Sequence, residues 1–177
     1  EVKTLTESIQ QMAQNLKAYV KEINGLVYRD GLTGVKNKMY YYEYIKSLSE
    51  EAQKQPYTIV VFKVTGLAGV NKTRGRKCGD ELIVTACGII CRVFSHSPIF
   101  RIGGDEFVAF LKGNDYMKCG ELLREFEDLS SDVTLVSAPD IAVRIVYGTA
   151  QSADGTEPYE EVFCRADEEK DQKKKGM

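Results

Sequence analysis

Histidine occurs once, proline four times and tryptophan not at all in this chain of 177 residues. The lone histidine, His96, lies in a serine-rich loop and is given no role. An excess of one charge is also missing, since 24 Lys and Arg stand against 26 Asp and Glu for a net of −2. That balance makes no electrostatic case for nucleic acid or an anionic membrane as partner. No apolar run approaches the ~18 residues of a membrane helix and no signal peptide is found, so no membrane contact is expected of this fragment. The five cysteines (Cys78, Cys87, Cys91, Cys119, Cys164) are odd in number and lack metal-ligand spacing. Cys87 and Cys91 lie four apart in an apolar helical run, so the thiols read as structural and the compartment as reducing, hence cytoplasmic. A local absence matters most: residues 52–79 contain neither Asp nor Glu.

The 43% apolar content is enough for a core, and the length suits one domain with an extension. Residues 1–27 supply the extension. They hold no proline and a single glycine, Gly25, near their end. Val2, Ile9, Leu16 and Ile23 take one heptad position; Leu5, Met12, Tyr19 and Leu26 take the other. β-branched residues at three of the first set predict a parallel two-stranded coiled coil. The competing reading is one amphipathic helix folded back on its own domain. The chain opens on Glu1 rather than Met. The expectation is a piece of a larger protein in which an upstream membrane anchor is open.

Residues 28–177 form the second unit. Residues 30–37 are turn-rich, and Asn37 is placed to cap a helix running through Met39, Tyr42, Ile45 and Leu48. The tyrosines at 40, 41, 42 and 44 read as packing. The near-continuous apolar run from Tyr57 to Val64 predicts a buried central strand. Gly66 to Gly69 then opens a short helix whose backbone N–H groups could cradle phosphate. The cations Lys72, Arg74, Arg76 and Lys77 read either as a solvated loop or as charge compensation for such a ligand. Leu82, Ile83, Ala86, Cys87, Ile90 and Phe94 have helical spacing and should face the core. Further on, residues 116–129 predict a helix with Met117, Leu122, Leu123 and Phe126 inward. Residues 130–140 predict a loop, 141–148 a strand, and 160–167 the start of a last helix with a poorly anchored end.

The stretch around residue 104 organises the rest. Ile99, Phe100 and Ile102 are β-formers on one side; Phe107, Val108, Phe110 and Leu111 are β-formers on the other. Gly103 and Gly104 between them predict a tight hairpin turn with positive φ. Asp105 and Glu106 then sit at or beside the tip. Adjacent carboxylates repel unless a cation lies between them. The plain alternative is an acidic, solvated turn.

Gly103-Gly104-Asp105-Glu106-Phe107 resembles the signature of the GGDEF family, the diguanylate cyclases. Two further stretches match in the same order. Asp30-Gly31-Leu32-Thr33-Gly34-Val35-Lys36-Asn37 resembles the family's D-x-L-T-G-L-x-N motif, and residues 71–80 its N-D-x-x-G-H-x-x-G-D segment. The resemblance implies an α/β fold with a central, mostly antiparallel sheet wrapped by helices, here preceded by a coiled-coil helix. It also implies GTP as partner, Mg2+ or Mn2+ as cofactor if the domain is active and none otherwise, a homodimer, and an upstream sensor domain on the same polypeptide. Asn71 and Asp80 match the family's guanine-binding residues, Gly103 and Gly104 its substrate turn, and Asp105 and Glu106 its catalytic acids, of which the first helps hold metal. In the family two GTP molecules on facing monomers condense to cyclic di-GMP and pyrophosphate.

The departures are specific. The family strand end reads D-x-D-x-F-K-x-x-N-D. Anchored on Asn71, Lys63 falls on the first Asp, the metal ligand; Thr65 falls on the second; Ala68 falls on the phosphate-contacting Lys. Arg76 replaces the family His. Phe94 and Ser97 replace the R-x-x-D of the inhibitory product site, so no product inhibition is expected there, whereas Arg101 matches a common family arginine. The phosphate-binding lysine of the last helix is assigned to Lys173 or Lys174. Lys63 is expected to be the counter-ion of Asp105 and Glu106, leaving a signalling domain that binds guanine nucleotide with impaired or absent synthesis. The alternatives are an active cyclase, binding metal through Asp105, Glu106 and the Val64 backbone carbonyl, and a structural spacer that binds no nucleotide.

Overall fold

The computed structural model describes residues 2–177. Eleven elements follow one another: α1 (Val2–Tyr28), α2 (Lys38–Glu50), β1 (Tyr57–Val64), α3 (Leu67–Arg74), α4 (Arg76–Val93), β2 (Ile99–Arg101), β3 (Glu106–Lys112), α5 (Gly113–Met117), α6 (Cys119–Ser130), β4 (Ile145–Ser152) and α7 (Tyr159–Lys175). The sheet order is β2-β3-β1-β4, and each pairing is antiparallel. This is the mostly antiparallel α/β fold that the resemblance implied.

Strand β1 is apolar at most positions because both of its faces are covered. Successive side chains of a strand point to opposite faces. Val60, Phe62 and Val64 join the α4 and α6 side chains Leu82, Ile83, Ile90 and Phe126 in one core. Tyr57, Ile59 and Val61 join Tyr41 of α2 and Val162 and Ala166 of α7 in the other. Three of the four tyrosines pack as expected, Tyr40, Tyr41 and Tyr44 all against the Phe100 ring, whereas Tyr42 is exposed. Lys63 shares the alternate set with Tyr57, Ile59 and Val61. It therefore lies on the α7 side of the sheet, opposite Glu106 in the register.

Helix α1 buries no residue of its own. Its heptad side chains are open to solvent, Ile9 at 58% and Leu16 at 65%. This overturns the reading of a helix folded back on its domain and suits the coiled-coil element. Asn37 caps α2 as expected, its Oδ1 accepting from Tyr40 N at 3.0 Å.

Three expectations are corrected. The strand expected over 141–148 is displaced to Ile145–Ser152. The eight residues of β1 are all paired with 145–152, and the chain before them pairs elsewhere: Leu135 N donates to Ile141 O and Val143 N to Val133 O. The helix over 116–129 is broken at Lys118, so Met117 is 79% exposed and Cys119 is buried instead. The last helix is not loose, since Lys170 is 2% exposed. At Gly148 a Cβ would stand 2.0 Å from Ala166 O and 2.4 Å from Lys170 N, so β4 and α7 touch backbone to backbone. The five thiols are free, with Cys78, Cys87 and Cys119 buried and Cys164 exposed.

Candidate functional site at the signature hairpin

The end of β1, the β2–β3 connection, the α3–α4 pair and one face of α7 converge. Chain direction is set by Gly66 and Gly75, whose φ values of +81 and +86 belong to the left-handed region open to glycine. Gly66 turns the chain from β1 into α3, and Gly75 turns α3 into α4. Asn71 of α3 and Asp80 of α4 then face one cavity of about 290 Å3, together with Leu67, Arg76, Ile83, Arg101 and Gly104. The two residues matched to guanine recognition are thus brought together. Their approach depends on Gly79, where a Cβ would lie 1.8 Å from Asn71 Oδ1. Arg76 also lines the cavity, whereas Arg74 is tied to Asp140.

The signature turn differs from the sequence expectation. Gly103 and Gly104 are not among the glycines with positive φ. The connection is wider than a two-residue hairpin and closes through Ile102 N donating to Glu106 O at 3.0 Å. Gly104 forms part of the cavity wall, and its carbonyl accepts from Arg101 Nε at 3.2 Å and Nη2 at 2.6 Å. The same guanidinium donates through Nη1 to both oxygens of Asp30, at 3.1 and 2.9 Å. Burial raises the Asp30 pKa, but hydrogen bonds from the Thr33 hydroxyl and N–H and from Arg101 outweigh it, and the carboxyl is held below its ordinary value of 3.8. Asn37 binds the end of α1 through Nδ2 to Val27 O at 2.6 Å. Residues 30–37 therefore connect α1 to the signature turn.

At the carboxylates, Lys63 Nζ lies 3.3 Å from Asp105 Oδ1 and 3.4 Å from Glu106 Oε1. The expected counter-ion pairing is present. A second ammonium, missed from the sequence, completes it. Lys170 Nζ lies 3.2 Å from the same Glu106 Oε1 and 2.5 Å from Asp167 Oδ1. Burial pushes the Glu106 carboxyl up, but hydrogen bonds and charge from Lys170 and then Lys63 bring it below 4.5. For both lysines burial lowers the pKa, and it is outweighed. Glu106 and Asp105 raise Lys63 above 10.5, and Asp167 and Glu106 do the same for Lys170. The signal for Lys170 was its spacing, since Val162, Ala166 and Lys170 form the buried stripe of α7 at intervals of four. Lys173 instead pairs with Glu169 at 2.9 Å and lies over the Tyr147 ring, while Lys174 is exposed. Neither is placed at the signature.

A divalent ion does not fit these residues. Its candidate donors were Asp105, Glu106 and the Val64 carbonyl. The Val64 strand end is nearby, with Val64 N donating to Asp105 O at 2.8 Å. Both carboxylates already have ammonium partners, and among the described residues no group of three or more His, Cys, Asp or Glu gathers to hold a metal. Phe94 is buried and Ser97 donates to Asp115 at 2.5 Å, so the positions matched to the family's product site serve packing and a local bond.

Comparison with known proteins agrees with this fold. The model of the "Diguanylate cyclase, GGDEF domain" family matches residues 27–177. Diguanylate cyclase DgcS of Shewanella oneidensis is 31% identical over 141 residues, covering 78% of this chain and 46% of that protein. The probable diguanylate cyclase DgcT of Escherichia coli is 29% identical over 147 residues, covering 80% of this chain and 32% of that protein. The chain thus spans less than half the length of these relatives. Among solved structures, the coiled coil and GGDEF domain of DgcB from Caulobacter crescentus, in complex with c-di-GMP, superposes with a TM-score of 0.80 at 21% identity. It covers 99% of this chain and 95% of that one. The GGDEF domain of the same protein alone gives 0.73 at 25% identity, covering 85% and 89%.

Proposed function

The chain belongs to the GGDEF family of diguanylate cyclase domains, and on that footing we propose that it is a guanine-nucleotide-binding signalling domain in which cyclic di-GMP synthesis is impaired or absent. One observation carries this reading: two ammonium groups, Lys63 and Lys170, contact the Asp105–Glu106 pair at 3.2–3.4 Å. At about 4 Å and an effective dielectric of about 20, two unit charges interact by roughly 4 kcal/mol. A divalent ion beside either ammonium meets about twice that as repulsion, and its carboxylate ligands are already engaged by ammonium groups. In this family the metal neutralises the triphosphate and activates the attacking hydroxyl. The chain's own residues are left with binding. Asp80 can accept from guanine N–H groups, and the Asn71 amide can both donate and accept.

The remaining parts of the reading follow from the same placement. Residues 1–27 pair two copies through the exposed heptad rows of α1, and residues 28–177 form the nucleotide-binding domain. An upstream sensor on the same polypeptide acts through α1 and residues 30–37. Among the described residues no helix is long and apolar enough to cross a membrane. The cytoplasm, where GTP is available, is the compartment this function requires.

The test is incubation of the purified chain with GTP and magnesium or manganese, scoring cyclic di-GMP by mass and GTP binding by calorimetry on the same sample. Binding without product is expected. Product at a rate comparable to an active relative refutes the impaired reading in favour of a working cyclase. Absence of binding refutes the nucleotide role of Asn71 and Asp80 and leaves a spacer.

A further inference from the structure

Resting on the nucleotide-binding reading above, we infer that this chain binds a guanosine polyphosphate without a divalent cation, with the Lys63 ammonium contacting the phosphates where a metal otherwise would. The mismatch between the signature carboxylates and a metal carries the inference. The two lysines differ in availability. The Lys170 side chain is 3% exposed and directs its donors at Glu106, Asp167 and, at 3.6 Å, Asp171. The Lys63 side chain is 22% exposed, and its contacts of 3.3 and 3.4 Å are long. Charge-assisted N–H···O bonds usually measure about 2.7–2.9 Å, and an ammonium has three donors to place. Lys63 therefore has bonding capacity left. Because Lys170 also contacts Glu106, Lys63 can give up its Glu106 contact for a phosphate oxygen while keeping its contact with Asp105.

Position and charge agree. Lys63 is the penultimate residue of β1, and only Thr65 and Gly66 separate that strand from α3, which carries Asn71. Across the cavity stands Gly104, the neighbour of Asp105. Lys63 does not itself line that cavity; in the proposed pose the phosphates of a base held by Asn71 and Asp80 run past Gly104 and the β1–α3 junction to reach it. Arg76 on the cavity wall adds a second cation, and no acid occurs between residues 52 and 79. A site of unpaired carboxylates repels a polyphosphate until a metal bridges them. Here Asp105 contacts Lys63 and Glu106 contacts both Lys63 and Lys170, so an ammonium already stands where that bridge would form. Lysine is a competent phosphate binder as a point charge.

Calorimetry on the full chain tests this, using a GTP analogue with a methylene α–β bridge that cannot release pyrophosphate. The dissociation constant is expected to agree within about twofold between excess EDTA and excess magnesium. Lys63→Met is expected to weaken binding about tenfold in EDTA, equivalent to about 1.4 kcal/mol, while Lys63→Arg retains it. Binding that requires magnesium, or a Lys63→Met variant that binds as wild type, overturns the inference. Failure of the analogue to bind while GMP binds overturns it alone. Failure of both overturns the nucleotide-binding reading beneath it.

Discussion

Removing the Arg101 guanidinium should both destabilise the domain and open the nucleotide cavity, and the size of each effect follows from its four contacts. Nη1 donates to both oxygens of Asp30, while Nε and Nη2 share the Gly104 carbonyl. The two side chains are 15% and 19% exposed, so the pair is largely withdrawn from water. Hydrogen bonds to charged groups contribute about 1.5–3 kcal/mol each, and stranding a buried partner costs about 3–5 kcal/mol. Asp30 is not stranded, however. Thr33 still donates to its Oδ2 from N at 2.9 Å and from Oγ1 at 2.7 Å. Arg101→Met should therefore cost about 2–3 kcal/mol, which lowers Tm by roughly 5–10 °C in a domain of this size. Asp30→Asn keeps an acceptor and should cost about 1–2 kcal/mol. The decisive quantity is the coupling from urea unfolding of wild type, both single variants and the double variant, expected at about 1–2 kcal/mol. Additivity within about 0.5 kcal/mol would show that the pair does not join residues 30–37 to the signature turn. Guanine-nucleotide affinity should also fall, and more for Arg101→Met than for Asp30→Asn, because only Arg101 lines the cavity.

Gly79→Ala should reduce nucleotide affinity about tenfold or more with a moderate loss of stability, because the new Cβ meets the Asn71 amide at 1.8 Å and displaces it; calorimetry at unchanged helical circular dichroism checks this, and wild-type affinity would contradict it. For pH, Glu106 is depressed below 4.5 in the folded state, so the stability its ion pairs contribute is present above about 4.5 and is lost as pH falls through its folded value. Lys63 and Lys170 are raised above 10.5, so their share is present below about 10.5 and is lost as pH rises through their folded values. The stability gap between wild type and Lys170→Met should be flat between pH ~5 and ~10 and should shrink on both sides; a gap unchanged at pH ~3 in urea titrations would rule out Glu106 as the partner.

The features that were legible in the sequence are those whose residues answer to their own neighbours. Tyr57–Val64 reads as a central strand because α-helices cover both its faces, so nearly every position before Lys63 is apolar. Lys63 stood out because the resemblance sets it on the family's metal-ligand Asp, and the pairing follows from the register that sets it opposite Glu106. The heptads of α1 read clearly because nothing in the domain buries them. Lys170 was hidden for the opposite reason. Its neighbours Glu168, Glu169, Asp171, Gln172 and Lys173 look like a solvated helix face, and its spacing from Ala166 becomes meaningful only once α7 is known to lie against β4. That contact is set by Gly148, about twenty residues earlier, where backbone meets backbone and leaves the Lys170 side chain no route to solvent except toward the hairpin. An ammonium in such a position is stable only with carboxylates to meet it, and Asp167 and Glu106 provide them. The charge-rich helix end and the ammonium-paired signature are thus one feature: the second cation at Glu106 is supplied from a segment that reads, taken alone, as surface.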